Sequence, residues 1–314
     1  MPFFIRKKQE PGWMAMQFTP EGVCMAHVRR VTDGKPLVTV CTVSQVHAVD
    51  GHALEKLGKE LHLGQYRCTT LLNPSEYQVL LVEAPNVPPE EMKIAIRWRI
   101  KDMLDYHVDD ATVDVLDIPP EKSGPAKSHS MYAITARNQV IEQRQALFEA
   151  AKMLLSVIDI PEMAQRNISA LLEPEQRGLA LLSFDAGGGL LTITFGGELY
   201  FSRRIDITSR QLVEAVEQQK VSHFDRITLE MQRSFDHFDR QFHFITLTKM
   251  MLAPLPGVEG LREYLALNLY VSVEALDLAE VFDFSAVPDL ARPERQAQCF
   301  TVLGAALRLE EKAL

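Results

Sequence analysis

The chain has 314 residues, with 33 Lys and Arg against 42 Asp and Glu and a formal net charge of −9. Its length exceeds one ordinary compact unit, so two domains or one bilobal pair are expected, and an apolar fraction of 46% leaves enough material for a sizeable core. Acids and bases are mixed along the chain, which excludes the global basic field that would concentrate nucleic acid.

The opening "MPFFIRKKQEPGW" lacks the hydrophobic stretch of a secretory signal, and no later apolar run approaches the roughly 18–20 residues that cross a bilayer. Phe3, Phe4 and Ile5 beside Arg6, Lys7 and Lys8 have the composition of a short contact with an anionic membrane surface. From Trp13 to Arg30, "WMAMQFTPEGVCMAHVRR" reads as a hairpin turning at "TPEG". A third strand is expected at "PLVTVCTV", a helix at "DGHALEKLGKELHL" and a strand at "YQVLLVEAP", giving the order βββαβ. "VPPEEMKIAIRWRIKDML" then carries helix-start signals in Pro88, Pro89, Glu90 and Glu91. Met92, Ile96, Ile100 and Met103 share one face, and Lys93, Arg97 and Lys101 make a basic stripe elsewhere. "DATVDVLDIP" alternates as a strand, "EKSGPAKSHS" is a polar loop, and the stretch from Met131 to Leu172 supplies strand, helix, strand and helix.

After "EPEQRG" the opening pattern recurs. "LALLSFDAGGGLLTITFGGELYFSRRIDI" is a strand, a glycine turn and a returning strand, and a helix follows at "SRQLVEAVEQQ". The long helix "FDRITLEMQRSFDHFDRQF" puts Ile227, Met231, Phe235, Phe238 and Phe242 on one side, as core. A strand at "FHFITLT", a helix at "VEGLREYLALNL" and the closing helix "CFTVLGAALRLEE" complete the chain. Two similar halves, each opening with a hairpin and separated near residue 176, have the internal symmetry of an actin-like or sugar-kinase-like α/β fold. Such halves enclose a cleft.

The segments "AIRWRIKDMLDYHVDDATVDVLDIP", "IDIPEMAQRNISALL", "LYFSRRIDI" and "ITLEMQRSFDHFDRQ" occur here in the order found in the MshI proteins of MSHA-type pilus biogenesis. That family is similar to PilM, the actin-like cytoplasmic component of type IV pilus machines, and the resemblance runs from about Trp13 to Glu311. It implies a bilobal, FtsA/PilM-like, ribonuclease H-like fold of two duplicated βββαβα halves. Residues 12–87 with 137–175 would form the first half, 88–136 a small inserted α+β subdomain, and 176–314 the second half. It also implies a cytoplasmic scaffold, not an enzyme, held peripherally at the inner membrane. The expected partner is the cytoplasmic N-terminal tail of a PilN-like bitopic membrane protein, with a pilus assembly ATPase complex as a further one. The helix from Glu90 to Leu104 would border the receiving groove, with Arg97, Trp98 and Lys101 as candidate contacts.

ATP-holding relatives carry an acidic hairpin in the first half, a D-x-G turn opening the second, and a G-G loop near the adenosine. Acids there organise Mg²⁺ and glycines let backbone N–H groups reach phosphate. Here Gln17 and Phe18 stand where an Asp and a small residue are expected, and Glu21 sits in the turn. Asp185 with Gly187, Gly188 and Gly189 keeps the second loop, but Leu190 and Leu191 follow it. "TLTKMMLAPLPGVEGL" has no G-G pair, although Gly257 and Gly260 remain. The expected cofactor is therefore none. The alternative is an ATP- and Mg-binding assembly ATPase using the Asp185 turn.

Other chemistries find less. There is no G-x-x-x-x-G-K-[ST] and no G-x-S-x-G. His237 and His243 are six apart, on different helix faces, and Asp105, Asp109, Asp110, Asp114 and Asp117 read as a solvated strand edge. The cysteines Cys24, Cys41, Cys68 and Cys299 form no C-x-x-C pair and fit a reduced chain.

Overall fold

The computed structural model describes residues 10–20, 22–45, 50–121 and 130–309. The first repeat opens with β1 (Trp13–Thr19), β2 (Gly22–Arg29) and β3 (Leu37–Ser44), then α1 (Gly51–Glu60) and β4 (Arg67–Leu71). Asp50 caps α1 by accepting the Ala53 N–H at 2.7 Å. Four elements follow before the repeat resumes: β5 (Tyr77–Glu83), α2 (Pro89–Ile100), β6 (Ala111–Asp117) and β7 (Ser130–Arg137). The repeat then closes with α3 (Asn138–Ala150), β8 (Leu155–Asp159) and α4 (Pro161–Ser169). The second repeat is β9 (Gly178–Asp185), β10 (Gly188–Phe195), β11 (Glu198–Ile205), α5 (Ser209–Val213), α6 (Glu217–Gln241), β12 (Leu247–Leu252), α7 (Leu261–Asn268), β13 (Ser272–Ala275) and α8 (Pro293–Ala306).

The two main sheets have the same plan. One is ordered β3-β2-β1-β4-β8 and the other β11-β10-β9-β12-β13, each an antiparallel hairpin unit continued by parallel strands. β1, β2, β9 and β10 are buried along nearly their whole length, so the alternation expected of "WMAMQFTPEGVCMAHVRR" is replaced by strands covered on both faces.

The two repeats exchange their last helices. α4 packs on β9, β10 and β11 of the second sheet, while α8 packs on β1, β2 and β4 of the first. The two helices cross at Gly304, where a Cβ would collide with the carbonyl oxygen of Ala164, and Asn167 Nδ2 donates to the Gly304 carbonyl at 3.0 Å. One core cluster accordingly mixes Ala15, Ala26 and Leu71 with Leu179, Met251 and Phe300. On α6, Ile227, Met231, Phe235 and Phe238 are fully buried and Phe242 nearly so, as the stripe requires.

β5, β7 and β6 form a separate antiparallel sheet in that order. The strand at "YQVLLVEAP", expected to extend the first half's own sheet, therefore pairs elsewhere. The place beside β1 is taken by β4, "RCTTL", whose polar letters hid a buried strand: Thr69 and Thr70 are fully buried and Thr70 donates to the Met16 carbonyl at 3.2 Å. Ile96 and Ile100 of α2 cover one face of the third sheet through Val82, Met131 and Ala133. The other face sends Tyr132 into the second repeat's core, its hydroxyl donating to the Tyr200 carbonyl at 3.0 Å. α2 ends at Ile100, short of the expected Leu104, because the chain turns at once, with the Met103 N–H on the Ile100 carbonyl at 2.8 Å. Met103 is left exposed.

Candidate functional site

The second hairpin turns at Ala186–Gly187, between Asp185 and Gly188. Asp185 Oδ1 accepts the Gly187 N–H at 2.7 Å, so this amide is already used inside the turn. Gly188 has φ +118°, and a Cβ there would run into the Ile205 carbonyl. A Cβ on Gly187 would lie 2.9 Å from Pro74 Cγ, and one on Gly189 2.7 Å from Phe184 Cε1, so each of the three glycines also meets a packing demand. Burial raises the Asp185 carboxyl above its ordinary value, against the lowering effect of the Gly187 and Gly188 amides and of Arg204.

The first hairpin carries no acid at the matching end of β1. Phe18 is buried there, edge-on to Phe148 at 6.1 Å, with the Arg144 guanidinium 4.8 Å above its ring. Arg144 in turn donates to both carboxylate oxygens of Glu76 at 2.8 Å. Glu21 lies outside the described residues.

The link between β4 and β5 touches both hairpins. It is a closed turn in which Glu76 Oε2 accepts the Asn73 N–H at 2.7 Å and the Glu76 N–H returns to the Asn73 carbonyl at 2.8 Å. Pro74 abuts Gly187, Glu76 holds Arg144 over Phe18, and Tyr77 receives a hydrogen bond from Arg204. The Tyr77 hydroxyl donates to Glu162 of α4, whose other oxygen takes Arg204 Nη2 at 2.9 Å. Burial pushes the Tyr77 hydroxyl well up, which keeps it a donor. Deeper in, Gln165 Nε2 donates to Leu181 O at 2.6 Å and Thr192 Oγ1 at 2.9 Å while its oxygen accepts Ser183 Oγ at 2.7 Å. Beside this network Pro74, Tyr77, Tyr132, Ser202 and Arg204 line an open cavity of about 250 Å³. The sequence reading missed Glu162, Arg204 and Tyr77. Only the charges inside "DIPEMAQR" and "SRRID" hinted at them.

Where the adenosine loop is expected, beyond the carboxyl ends of β12 and β13, Leu252, Pro254, Leu255, Val258, Arg262 and Leu276 line an open cavity of about 440 Å³. Gly257 and Gly260 there adopt φ of +81° and +84°.

On α2 the structure separates the three candidate contacts. Trp98 and Ile94, four residues apart on the outer face, are 67% and 60% exposed. Arg97 is turned inward, donating to the Val108 carbonyl at 2.7 Å and lying 3.4 Å from Asp109. Lys101 is exposed at the helix end. The acidic residues near β6 sit at a sheet edge in surface pairs, Asp114 with Lys93 at 2.9 Å and Asp105 with Arg137 at 3.7 Å. Among the described residues no group of His, Cys, Asp and Glu is arranged to hold a metal, and no helix is long and apolar enough to cross a membrane. Phe3 to Lys8 lie outside the described residues.

No protein-family model matches the chain, and no curated protein does. Solved structures do match it in fold. A chain of the PilM–PilN type IV pilus biogenesis complex superposes with a TM-score of 0.72 at 18% identity, over 94% of this chain and 98% of that one. A Bacteroides thetaiotaomicron protein of actin-like ATPase fold and unknown function superposes with a TM-score of 0.51 at 8% identity, over 93% and 99%. The fold is actin-like. Between β4 and α3 the chain runs through the separate β5-β7-β6 sheet and α2, whose first strand, Tyr77–Glu83, precedes residue 88.

Proposed function

We propose that this chain is a cytoplasmic, non-enzymatic scaffold of type IV pilus assembly, of the MshI kind that serves MSHA-type pili. It would capture the cytoplasmic N-terminal tail of a PilN-like bitopic protein and so be held at the inner membrane. The observation that carries this reading is the end-to-end likeness to a chain of the PilM–PilN complex. The exposed Trp98 and Ile94 on the inserted helix supply a surface suited to an apolar segment, because a large aromatic beside an aliphatic anchors a peptide at low entropic cost.

A degenerate nucleotide site belongs to the same reading. It is supported by Phe18 in place of a small residue, by the Gly187 amide being used by Asp185, and by Pro74 against the glycine turn. The competing reading, an ATP-binding assembly ATPase, draws on the intact Asp185 turn and the cavity beyond β12 and β13. Two measurements on the same sample separate them. Fluorescence anisotropy with a labelled PilN-like N-terminal peptide should show saturable binding that Asp185→Ala leaves unchanged. Calorimetry with Mg·ATP should show no heat of binding, and a saturable heat lost in Asp185→Ala would favour the ATPase.

A further inference from the structure

Cys24 and Cys41, apart in sequence, are brought together by the β2–β3 ladder. Cys24 stands opposite Val43 and Cys41 opposite Ala26, so the two thiols are diagonal neighbours on one face of the first sheet. That face is covered by α8 of the second repeat, and α8 lowers Cys299 onto both. The Cys24 thiol donates to Cys299 Sγ at 3.7 Å and also lies 3.7 Å from the Gln298 carbonyl, while Cys41, on the same face, belongs to the same buried cluster. All three are buried, with Cys41 on the edge strand β3 keeping 8% exposure and Cys299 none. The Cys24 thiol's hydrogen bond, with the neighbouring Cys41 and the Arg295 guanidinium one turn earlier on α8, draws the Cys299 thiol below its ordinary value, while burial and Asp289 oppose this. Of the three thiols, Cys299 is thus the one whose surroundings favour the thiolate. Cys68, buried without such a neighbour, is pushed up to about 12 by burial.

We propose that Cys24 and Cys299 form a reversible modification site: hydrogen peroxide oxidises them to a disulfide that staples α8 to the sheet of the other repeat. Cys299 thiolate attacks one peroxide oxygen and the O–O bond breaks. The departing hydroxide takes up a proton as water, leaving a sulfenic acid on Cys299. The Cys24 sulfur then attacks the Cys299 sulfur, the S–O bond breaks, and the hydroxide released combines with the Cys24 proton as a second water. The two sulfurs lose two electrons in total and the peroxide gains them. Residues 24 and 299 lie near opposite ends of the chain, so the bond closes a loop over most of it and restricts separation of α8 from the first sheet. Attack by Cys41 on Cys299 would expel the Cys24 thiolate and move the link to Cys41–Cys299, so the staple is opened only by an external thiol reductant.

The test uses the full chain, reduced and then exposed to hydrogen peroxide, with peptide mapping under non-reducing conditions. A peptide linking Cys24 to Cys299, formed at least tenfold faster than any oxidation of Cys68, reversed by dithiothreitol and accompanied by a Tm raised by a few degrees, is expected. The link should persist in Cys41→Ser and vanish in Cys24→Ser. If the three thiols of the folded chain oxidise no faster than Cys68, or a link arises only after unfolding in urea, the proposal is wrong. Mapping of the unsubstituted chain decides this even if a variant fails to fold.

Discussion

Arg204 on β11 reaches across to Glu162 on α4 at 2.9 Å, joining the second repeat's edge strand to the first repeat's last helix. Glu162 is almost wholly buried; Arg204 donates to it through Nε and Nη2, and Tyr77 of the β5-β7-β6 sheet supplies a third hydrogen bond. Three parts of the molecule thus meet on one carboxylate, which is costly to bury alone and stable only when paired.

Removing Arg204 should therefore destabilise the fold more than an ordinary surface change. Because Arg204 is itself partly exposed, we expect Arg204→Ala to cost about 3 kcal/mol, at the low end for a broken buried pair. The double variant Glu162→Leu/Arg204→Met should recover most of that loss, since it leaves no charge unpaired. Urea midpoints of the three proteins check this, and a double variant no better than Arg204→Ala would refute it.

The α4–α8 crossing makes a second prediction. A methyl at Gly304 has no room against the Ala164 carbonyl, so Gly304→Ala should cost at least about 1–3 kcal/mol as the helices are forced apart. Gly64, with no atom within 4 Å of a built Cβ, is the control. Gly64→Ala should be neutral or stabilise by up to about 1 kcal/mol through the unfolded chain. Thermal denaturation of both separates packing from backbone entropy.

The repeated hairpins were legible because turn residues, Pro20 with Gly22 and then Gly187 to Gly189, break two strand-like stretches in each half. The α6 stripe was legible because helical spacing survives burial. β4 was not, since Thr69 and Thr70 look polar in a string and prove buried only against β1 and β8. β5 was seen as a strand yet assigned to the wrong sheet, because periodicity carries no information on pairing partners. Gly304 and the three thiols depend on two elements far apart in sequence coming into register. The glycines at Gly187 to Gly189 were visible as a turn, but the packing against Pro74 and Ile205 that also demands them was not.

His27 gives the fold a dependence on pH. Its Nε2 lies 3.1 Å from the Pro11 carbonyl, an acceptor, so that nitrogen carries the proton and Nδ1 accepts from the Thr39 hydroxyl. Burial lowers its pKa, with Arg29 acting in the same direction and the Pro11 bond and Glu10 opposing. The unfolded chain then binds the proton more tightly than the folded one. This contribution to stability is present above the unfolded value of about 6.5 and is lost as pH falls through the folded value. Urea midpoints should fall between pH 7 and pH 5, and His27→Gln should be less stable at pH 7 with a flatter profile over that window. An unchanged slope would remove His27 from the account.

The last prediction concerns α2. Trp98 and Ile94 are exposed, so Ile94→Ser/Trp98→Ala should leave stability within about 0.5 kcal/mol of the parent. Arg97→Ala, by contrast, removes the bond to the Val108 carbonyl and should cost about 1 kcal/mol. If the outer face of α2 receives the partner's tail, the double change should weaken capture of a PilN-like peptide at least tenfold, roughly 1.4 kcal/mol, through the loss of two apolar anchors. Lys101→Ala, at the end of that face, should weaken it less, because an exposed charge acts through solvent. Anisotropy titrations at matched protein concentration read these effects directly. A folded double variant that binds the peptide with parental affinity would place the receiving surface elsewhere on the fold.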